Sequence, residues 1–90
     1  MKVAFVDNNR QDMDNLTSSI TKYSNESFDI TSYDTYSNGE SFLSEFYANK
    51  YDIVFLDIFM DTLSGVDVAF EIRKSDQNVK IVFCTTSNEF

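Results

Sequence analysis

Two acids and one threonine each stand directly after a short apolar run, and their residue types can bind a cation or react with phosphorus. The runs cover residues 3–6, 53–56 and 81–84, and the residues that follow them are Asp7, Asp57 and Thr85. Short apolar runs bounded by charge are typical of strands in a buried parallel sheet. Such strands end at one edge, where open α/β sheets hold their ligands. If the first and third strands are neighbours, we expect Asp7 and Asp57 to lie together.

Two carboxylates that converge with no base nearby suit a hard cation. Mg²⁺ usually takes one or two carboxylates, with waters and phosphate oxygens completing its shell. Asp57 can also act as a nucleophile towards phosphorus and form an aspartyl phosphate. A metal ion between this carboxylate and the phosphoryl group offsets their repulsion. The hydroxyl of Thr85 can donate a hydrogen bond to a phosphoryl oxygen.

The elements that position these residues are predicted to alternate between strand and helix. We predict strands at residues 3–6, 28–33, 53–57 and 79–84, and helices at residues 10–23, at 40–48 and from Ser64-Gly65 onward. This alternation is typical of an α/β fold with a doubly wound parallel sheet. The second strand alternates in polarity, which favours an edge position.

Each predicted helix carries an apolar stripe for burial against the sheet. Asn8 or Asn9 can cap the first helix, and Asp12 and Asp14 suit the positive end of its dipole. In chain order, the three stripes comprise Met13, Leu16, Ile20 and Tyr23, then Phe42, Leu43, Phe46 and Tyr47, then Val66, Ala69 and Phe70.

Composition excludes several classes of function. With 15 acids, 7 bases and a net charge of -8, the 90 residues are poorly suited to binding nucleic acid or an anionic membrane. The absence of histidine removes histidine-based catalysis and metal ligation. Cys84 lies in an apolar run and is predicted to be a core residue in a reducing compartment. No segment is long enough for a signal peptide or a membrane span, and we expect a cytoplasmic protein.

Four motifs, taken together in order and spacing, resemble the receiver domain of two-component response regulators. They are Phe5-Val-Asp7-Asn8-Asn9, Phe55-Leu-Asp57-Ile-Phe-Met60, Gly65 at the start of the third helix, and Ile81-Val-Phe-Cys-Thr85-Thr86. The resemblance covers nearly the whole chain. The patterns around Asp57 and Thr85 are similar to those of regulators that carry a LytTR-type DNA-binding domain.

The resemblance implies a flavodoxin-like receiver fold in which Asp57 accepts a phosphoryl group from a sensor histidine kinase. It also implies that Asp7, Asn8, Asp57 and the backbone carbonyl of Phe59 surround Mg²⁺. Thr85 would then bind the phosphate and report phosphorylation, with Thr86 as the alternative if the register differs by one. Such a domain is a phosphoacceptor that catalyses only its own phosphotransfer, and DNA would be contacted only through an output domain absent from this chain.

The sequence departs from the family pattern in two places. Asn8 stands where the family usually has a second acid, and the lost charge predicts weaker Mg²⁺ binding. The family's lysine after a fifth strand has no counterpart, because neither Lys74 nor Lys80 is at the matching place. We therefore expect residues 1–90 to be an incomplete receiver domain, truncated after the fourth strand, with poor phosphotransfer on its own. Its open sheet edge predicts pairing with a second copy in a homodimer.

Three alternatives stand beside this interpretation, and the residues argue against two of them. In the first alternative, Asn8 disables the site, and the chain is an interaction module that keeps the receiver fold without using phosphate. A phosphatase of the haloacid dehalogenase type needs an acid two residues after the nucleophile, where this chain has Phe59, and the next acid is Asp61. A flavodoxin-type flavin site needs a first loop rich in Ser, Thr and Gly, which residues 7–10 are not. Taken singly, Asp7 would more simply be a helix cap.

Overall fold

The computed structural model describes residues 1–24 and 29–85, and this part of the chain forms four strands and three helices. The elements are β1 (Lys2–Val6), α1 (Arg10–Lys22), β2 (Ser32–Tyr36), α2 (Gly39–Glu45), β3 (Ile53–Asp57), α3 (Gly65–Ser75) and β4 (Lys80–Cys84). The strand order is β2-β1-β3-β4, and every neighbouring pair is parallel. The doubly wound α/β fold is therefore confirmed. Within these two ranges, no helix is long and apolar enough to cross a membrane.

The sheet buries an apolar layer on each face, because alternate side chains of the central strands point in opposite directions. On one face α2 and α3 cover Ala4, Val6, Val54 and Leu56. On the other face α1 covers a second cluster built from Val3, Phe5, Ile53 and Phe55. All five residues of β3 are buried, as expected for a strand covered on both sides.

β2 lies a few residues later than the predicted strand at 28–33. Its register runs from Lys2 opposite Ser32 to Val6 opposite Tyr36, so residues 34–36, which follow the predicted strand, also pair with β1. The edge position is confirmed, and most β2 side chains are exposed. An edge strand held mainly by backbone hydrogen bonds needs little apolar pattern, which explains the displacement. Phe28, where the predicted strand begins, lies outside the described residues.

The predicted stripes of the first two helices are correct except at their ends. Met13 is buried and Phe42 is fully buried, as predicted. Tyr23 follows the last residue of α1 and is 68% exposed, while Tyr47 lies beyond the end of α2 and is 63% exposed. Both tyrosines were assigned to a stripe because the helices were predicted to be longer than they are.

The stripe predicted for α3 is largely wrong. The helix buries Gly65, Val68 and Ile72, whereas Val66 and Phe70 are exposed. The reason lies at the first helical residue, because a Cβ atom on Gly65 would come 2.2 Å from the carbonyl oxygen of Asp57. This close backbone approach sets the rotation of α3, so the residues three and seven positions later face the sheet.

Candidate functional site

The sheet topology brings the two predicted acids together. β1 and β3 are neighbours, with Val6 opposite Leu56, so Asp7 and Asp57 leave the carboxyl ends of adjacent strands. The side chains are almost fully enclosed, with Asp7 only 2% and Asp57 only 3% exposed. The predicted convergence of the pair is therefore confirmed.

Local backbone hydrogen bonds orient Asp7. Its Oδ1 accepts a hydrogen bond of 2.9 Å from the backbone N–H of Asn9, and its own N–H donates to the carbonyl of Tyr36. The other oxygen, Oδ2, is buried and has no hydrogen-bond partner in the described part of the chain. Asn9 caps α1 by accepting from the N–H of Asp12, so the capping role considered for Asp7 belongs to Asn9. One carboxylate oxygen of Asp7 is thus left available for a ligand.

The loop after β3 holds Asp57 in a comparable way. Its Oδ1 accepts from the backbone N–H of Phe59 at 3.3 Å. The loop is tied back by two backbone bonds, from Ile58 N–H to the carbonyl of Cys84 and from Gly65 N–H to the carbonyl of Ile58. Because Gly65 has no Cβ, the start of α3 can lie against the carbonyl of Asp57. The acid therefore sits on a rigid strand end.

Burial and like charge make both acids harder to ionise. Burial raises the pKa of Asp7 to about 6, with further increases from the charges of Asp57 and Asp12, against a lowering by the Asn9 N–H. The pKa of Asp57 is also raised, first by burial, although the N–H of Phe59 opposes this. Arg10 lines a cavity of about 430 Å³ beside Asp7, yet in the described residues neither acid forms an ion pair. A bound cation would relieve this uncompensated charge.

The donor set of the edge fits a hard cation. Among residues 1–24 and 29–85, no group of three His, Cys, Asp or Glu side chains gathers around one point. The acids at the site are thus a pair, and further ligands would have to be neutral oxygens or water. The unpartnered Oδ2 of Asp7 is the observation in favour of an ion. Asn8 is exposed beside the pair and lines two neighbouring cavities.

The other predicted residues occupy the same edge of the sheet. Thr85 follows β4 directly and is exposed, and the preceding Cys84 is opposite Asp57 in the β3–β4 register. Thr86, the alternative to Thr85, lies outside the described residues. Cys84 is half-buried and packs against the α1-side core, which agrees with its predicted role in packing.

Asp12, which was predicted only to suit the dipole of the first helix, also acts on the acid pair. This carboxylate raises the pKa of both Asp7 and Asp57. Its position gave a usable signal, because helical side chains tilt towards the helix N-terminus and α1 begins at the edge that holds the acid pair.

Comparisons with known proteins agree with this geometry. The family described as "Response regulator receiver domain" matches residues 3–90. Chemotaxis protein CheY of Thermotoga maritima is 36% identical over 52 residues, which are 58% of this chain and 43% of that protein. Sensory transduction protein LytR of Staphylococcus haemolyticus is 40% identical over 53 residues, which are 59% of this chain and 21% of that protein. The matched stretches thus span less than half the length of these curated relatives.

Solved structures show the same fold. Response regulator TrrA of Thermotoga maritima, in complex with Mg(2+)-BeF, has a TM-score of 0.78 at 33% identity. The matched residues are 97% of this chain and 70% of the TrrA chain. TrrA in complex with histidine kinase ThkA gives a TM-score of 0.75 at 32% identity, covering 99% and 72%. With the sheet order, the paired acids and the family match in agreement, the chain belongs to the response regulator receiver domain family.

Proposed function

We propose that Asp57 is a phosphoacceptor, which receives a phosphoryl group from a sensor histidine kinase. The observation that carries this proposal is the buried pair of Asp7 and Asp57 at the carboxyl edge, with one oxygen of Asp7 unpartnered. A buried pair of like charges is costly for stability, which is a reason to expect a role in binding. The family membership of the chain supports the same interpretation.

In the proposed transfer, a carboxylate oxygen of Asp57 attacks the phosphorus of a phosphohistidine. A new O–P bond forms, the N–P bond breaks, and its electron pair stays on the imidazole nitrogen of the kinase. Asp57 enters this reaction as the carboxylate, because its protonated form is a poor nucleophile. The hydroxyl of Thr85 would donate a hydrogen bond to a phosphoryl oxygen, stabilising the product.

A magnesium ion would be held by Asp7, Asn8, Asp57 and the backbone carbonyl of Phe59. When bound, it supplies positive charge that offsets the repulsion between the carboxylates and the phosphoryl oxygens. Asn8 offers this site a neutral oxygen in place of an acid, so weaker Mg²⁺ binding than in the usual family pattern stays a prediction.

The similar proteins support a signalling role. TrrA has been solved both with Mg(2+)-BeF and with the histidine kinase ThkA, which supports a kinase as the phosphoryl donor here. LytR of Staphylococcus haemolyticus is a sensory transduction protein, which supports a role in signal transduction. A DNA-binding output in a further domain stays a prediction. Phosphorylation would act by shifting a two-state surface that includes Thr85. The homodimer, the domain boundary and the cytoplasmic location stay predictions.

A second candidate function is an interaction module that keeps the fold without using phosphate. Asn8 is the observation that favours it, because the site carries one negative charge fewer than the family pattern. This candidate predicts that the protein binds its partner equally well with Asp57 or with asparagine at that position.

Intact-mass spectrometry after incubation with acetyl phosphate tests the main proposal. Wild type should gain one phosphoryl group in a fraction of the molecules in the presence of Mg²⁺, since the family's lysine has no counterpart here, and none after Mg²⁺ is removed with EDTA. Asp57→Asn should gain none, while Asp61→Asn, which changes an exposed acid on the same loop, should be labelled like wild type. Unlabelled wild type under all conditions would support the interaction module, and labelling of Asp57→Asn would contradict the assigned acceptor.

A further inference from the structure

The first turn of α1 contains an acid that has no assigned role at the site. Asp12 is half-buried, and its carboxylate makes no hydrogen bond or ion pair in the described part of the chain. An acid on the solvent face of a helix would be exposed, but Asp12 lies where α1 begins, at the carboxyl edge of the sheet. The half-buried position of this unpaired charge therefore needs an explanation.

Two hydrogen bonds connect Asp12 to the acid pair. The backbone N–H of Asn9 donates to Oδ1 of Asp7 at 2.9 Å, and the side chain of Asn9 accepts from the N–H of Asp12 at 2.9 Å. Asp12 is the third residue after this cap, within the first turn of the helix. Because side chains of a helix tilt towards its N-terminus, the carboxylate of Asp12 leans back towards Asp7 and Asp57.

We infer that Asp12 supplies the site with the third negative charge that Asn8 does not, and that it strengthens Mg²⁺ binding by acting through space. The inference rests on the proposed function of the acid pair as a metal site. An unpartnered oxygen of Asp7 points to a ligand there independently of Asp12. Asp12 acts as a positioning and electrostatic residue, since the described residues contain no cluster of three acids close enough to ligate one ion.

The position of Asp12 supports this assignment. Asp12 is half-buried in the first turn of α1 and is linked to Asp7 through Asn9, whereas Asp14, two residues further along the helix, is exposed. A charge that repels two carboxylates attracts a divalent cation between them. The effect must weaken with salt, because part of Asp12 is open to solvent.

The test measures Mg²⁺ affinity, with no phosphorylation involved. Backbone amide shifts of the loops after β1 and β3 are followed while MgCl₂ is added to wild type, Asp12→Asn, Asp12→Glu and Asp29→Asn. Asp29 is an exposed acid close to the amino end of β1, at the edge of the sheet opposite the acid pair. Asp29→Asn therefore has the same net charge as Asp12→Asn but removes a charge far from the site.

Asp12→Asn should bind Mg²⁺ about threefold to tenfold more weakly than wild type at low salt. The deficit should shrink in about 0.5 M NaCl, because salt screens the interaction. Asp12→Glu should recover most of the affinity, and Asp29→Asn should match wild type.

Equal affinities of Asp12→Asn and wild type would overturn the inference, and so would equal losses in Asp12→Asn and Asp29→Asn. A deficit that does not change with salt would overturn the electrostatic explanation. If wild type shows no Mg²⁺-dependent shifts at all, the proposed metal site itself fails and the inference falls with it.

Discussion

Replacing Asp7 by asparagine should stabilise the protein while weakening the proposed metal site. The pKa of the Asp7 carboxyl rises from its ordinary value of 3.8 to about 6, chiefly because the group is buried. In the ionised protein this corresponds to at most about 3 kcal/mol of lost folding free energy. The amide introduced by Asp7→Asn would keep the acceptor for the Asn9 N–H, and its nitrogen could donate to Asp57 from the position of the unpartnered oxygen.

The sign of the pH dependence follows from the raised pKa. The folded state holds the proton of Asp7 more tightly than the unfolded state does, so the penalty is absent below about pH 4 and complete above about pH 7. At pH 5 roughly 1.4 kcal/mol of it should already be relieved. The stability advantage of Asp7→Asn over wild type should therefore be largest at pH 8 and fall by about half at pH 5.

Urea denaturation followed by far-ultraviolet circular dichroism measures this difference. Wild type, Asp7→Asn and the exposed-acid control Asp29→Asn are compared at pH 8 and pH 5, with equal m-values as the condition for comparing free energies. A less stable Asp7→Asn at pH 8, or an advantage that grows as the pH falls, would refute the electrostatic account. An equal gain in Asp29→Asn would assign the effect to net charge instead.

Three further substitutions test the scaffold by the same denaturation assay. Gly65→Ala should lower the free energy of unfolding by about 3 kcal/mol or more, because its Cβ would meet the carbonyl oxygen of Asp57 at 2.2 Å. A loss under about 1 kcal/mol would contradict the close approach of α3 to the backbone of Asp57. Tyr51→Phe should cost about 1–2 kcal/mol, because it removes a buried hydroxyl that donates to Asp34 at 2.6 Å; an unchanged midpoint would show that water replaces the bond. Asp76→Ala should cost about 2–4 kcal/mol at pH 7, because the 4% exposed carboxylate accepts three backbone N–H bonds. These bonds lower the pKa of Asp76, so the stability that its carboxylate contributes is present above about pH 4 and is lost as the pH falls below that value. If Asp76→Ala lowered the free energy of unfolding equally at pH 7 and pH 3, this explanation would be wrong.

Those features of the fold that rest on local pattern could be predicted from the sequence. β3 is a continuous apolar run that ends on Asp57, and such a run identifies a strand covered on both faces without further information. The convergence of Asp7 with Asp57 followed from alternation alone, because parallel strands end at one edge.

Features that depend on contacts distant in sequence could not be predicted. The rotation of α3 is set by the approach of Gly65 to the backbone of Asp57, which no periodicity of the helix reveals. Asp76 lies in a polar stretch after α3 that does not indicate burial, yet its carboxylate is buried and accepts a hydrogen bond from a backbone N–H 27 residues earlier, at Asn49. The position of β2 was missed for a related reason, since backbone pairing with β1 rather than an apolar pattern holds that strand.

The central claim, that Asp57 accepts the phosphoryl group, is tested most directly by locating the modified residue. After labelling with acetyl phosphate and Mg²⁺, borohydride reduces an aspartyl phosphate to homoserine, which peptide mass spectrometry assigns to one position. The account predicts homoserine at position 57 and unmodified aspartate at the neighbouring Asp61. Homoserine at any other acid, or none in protein that carries a phosphoryl group, would contradict it.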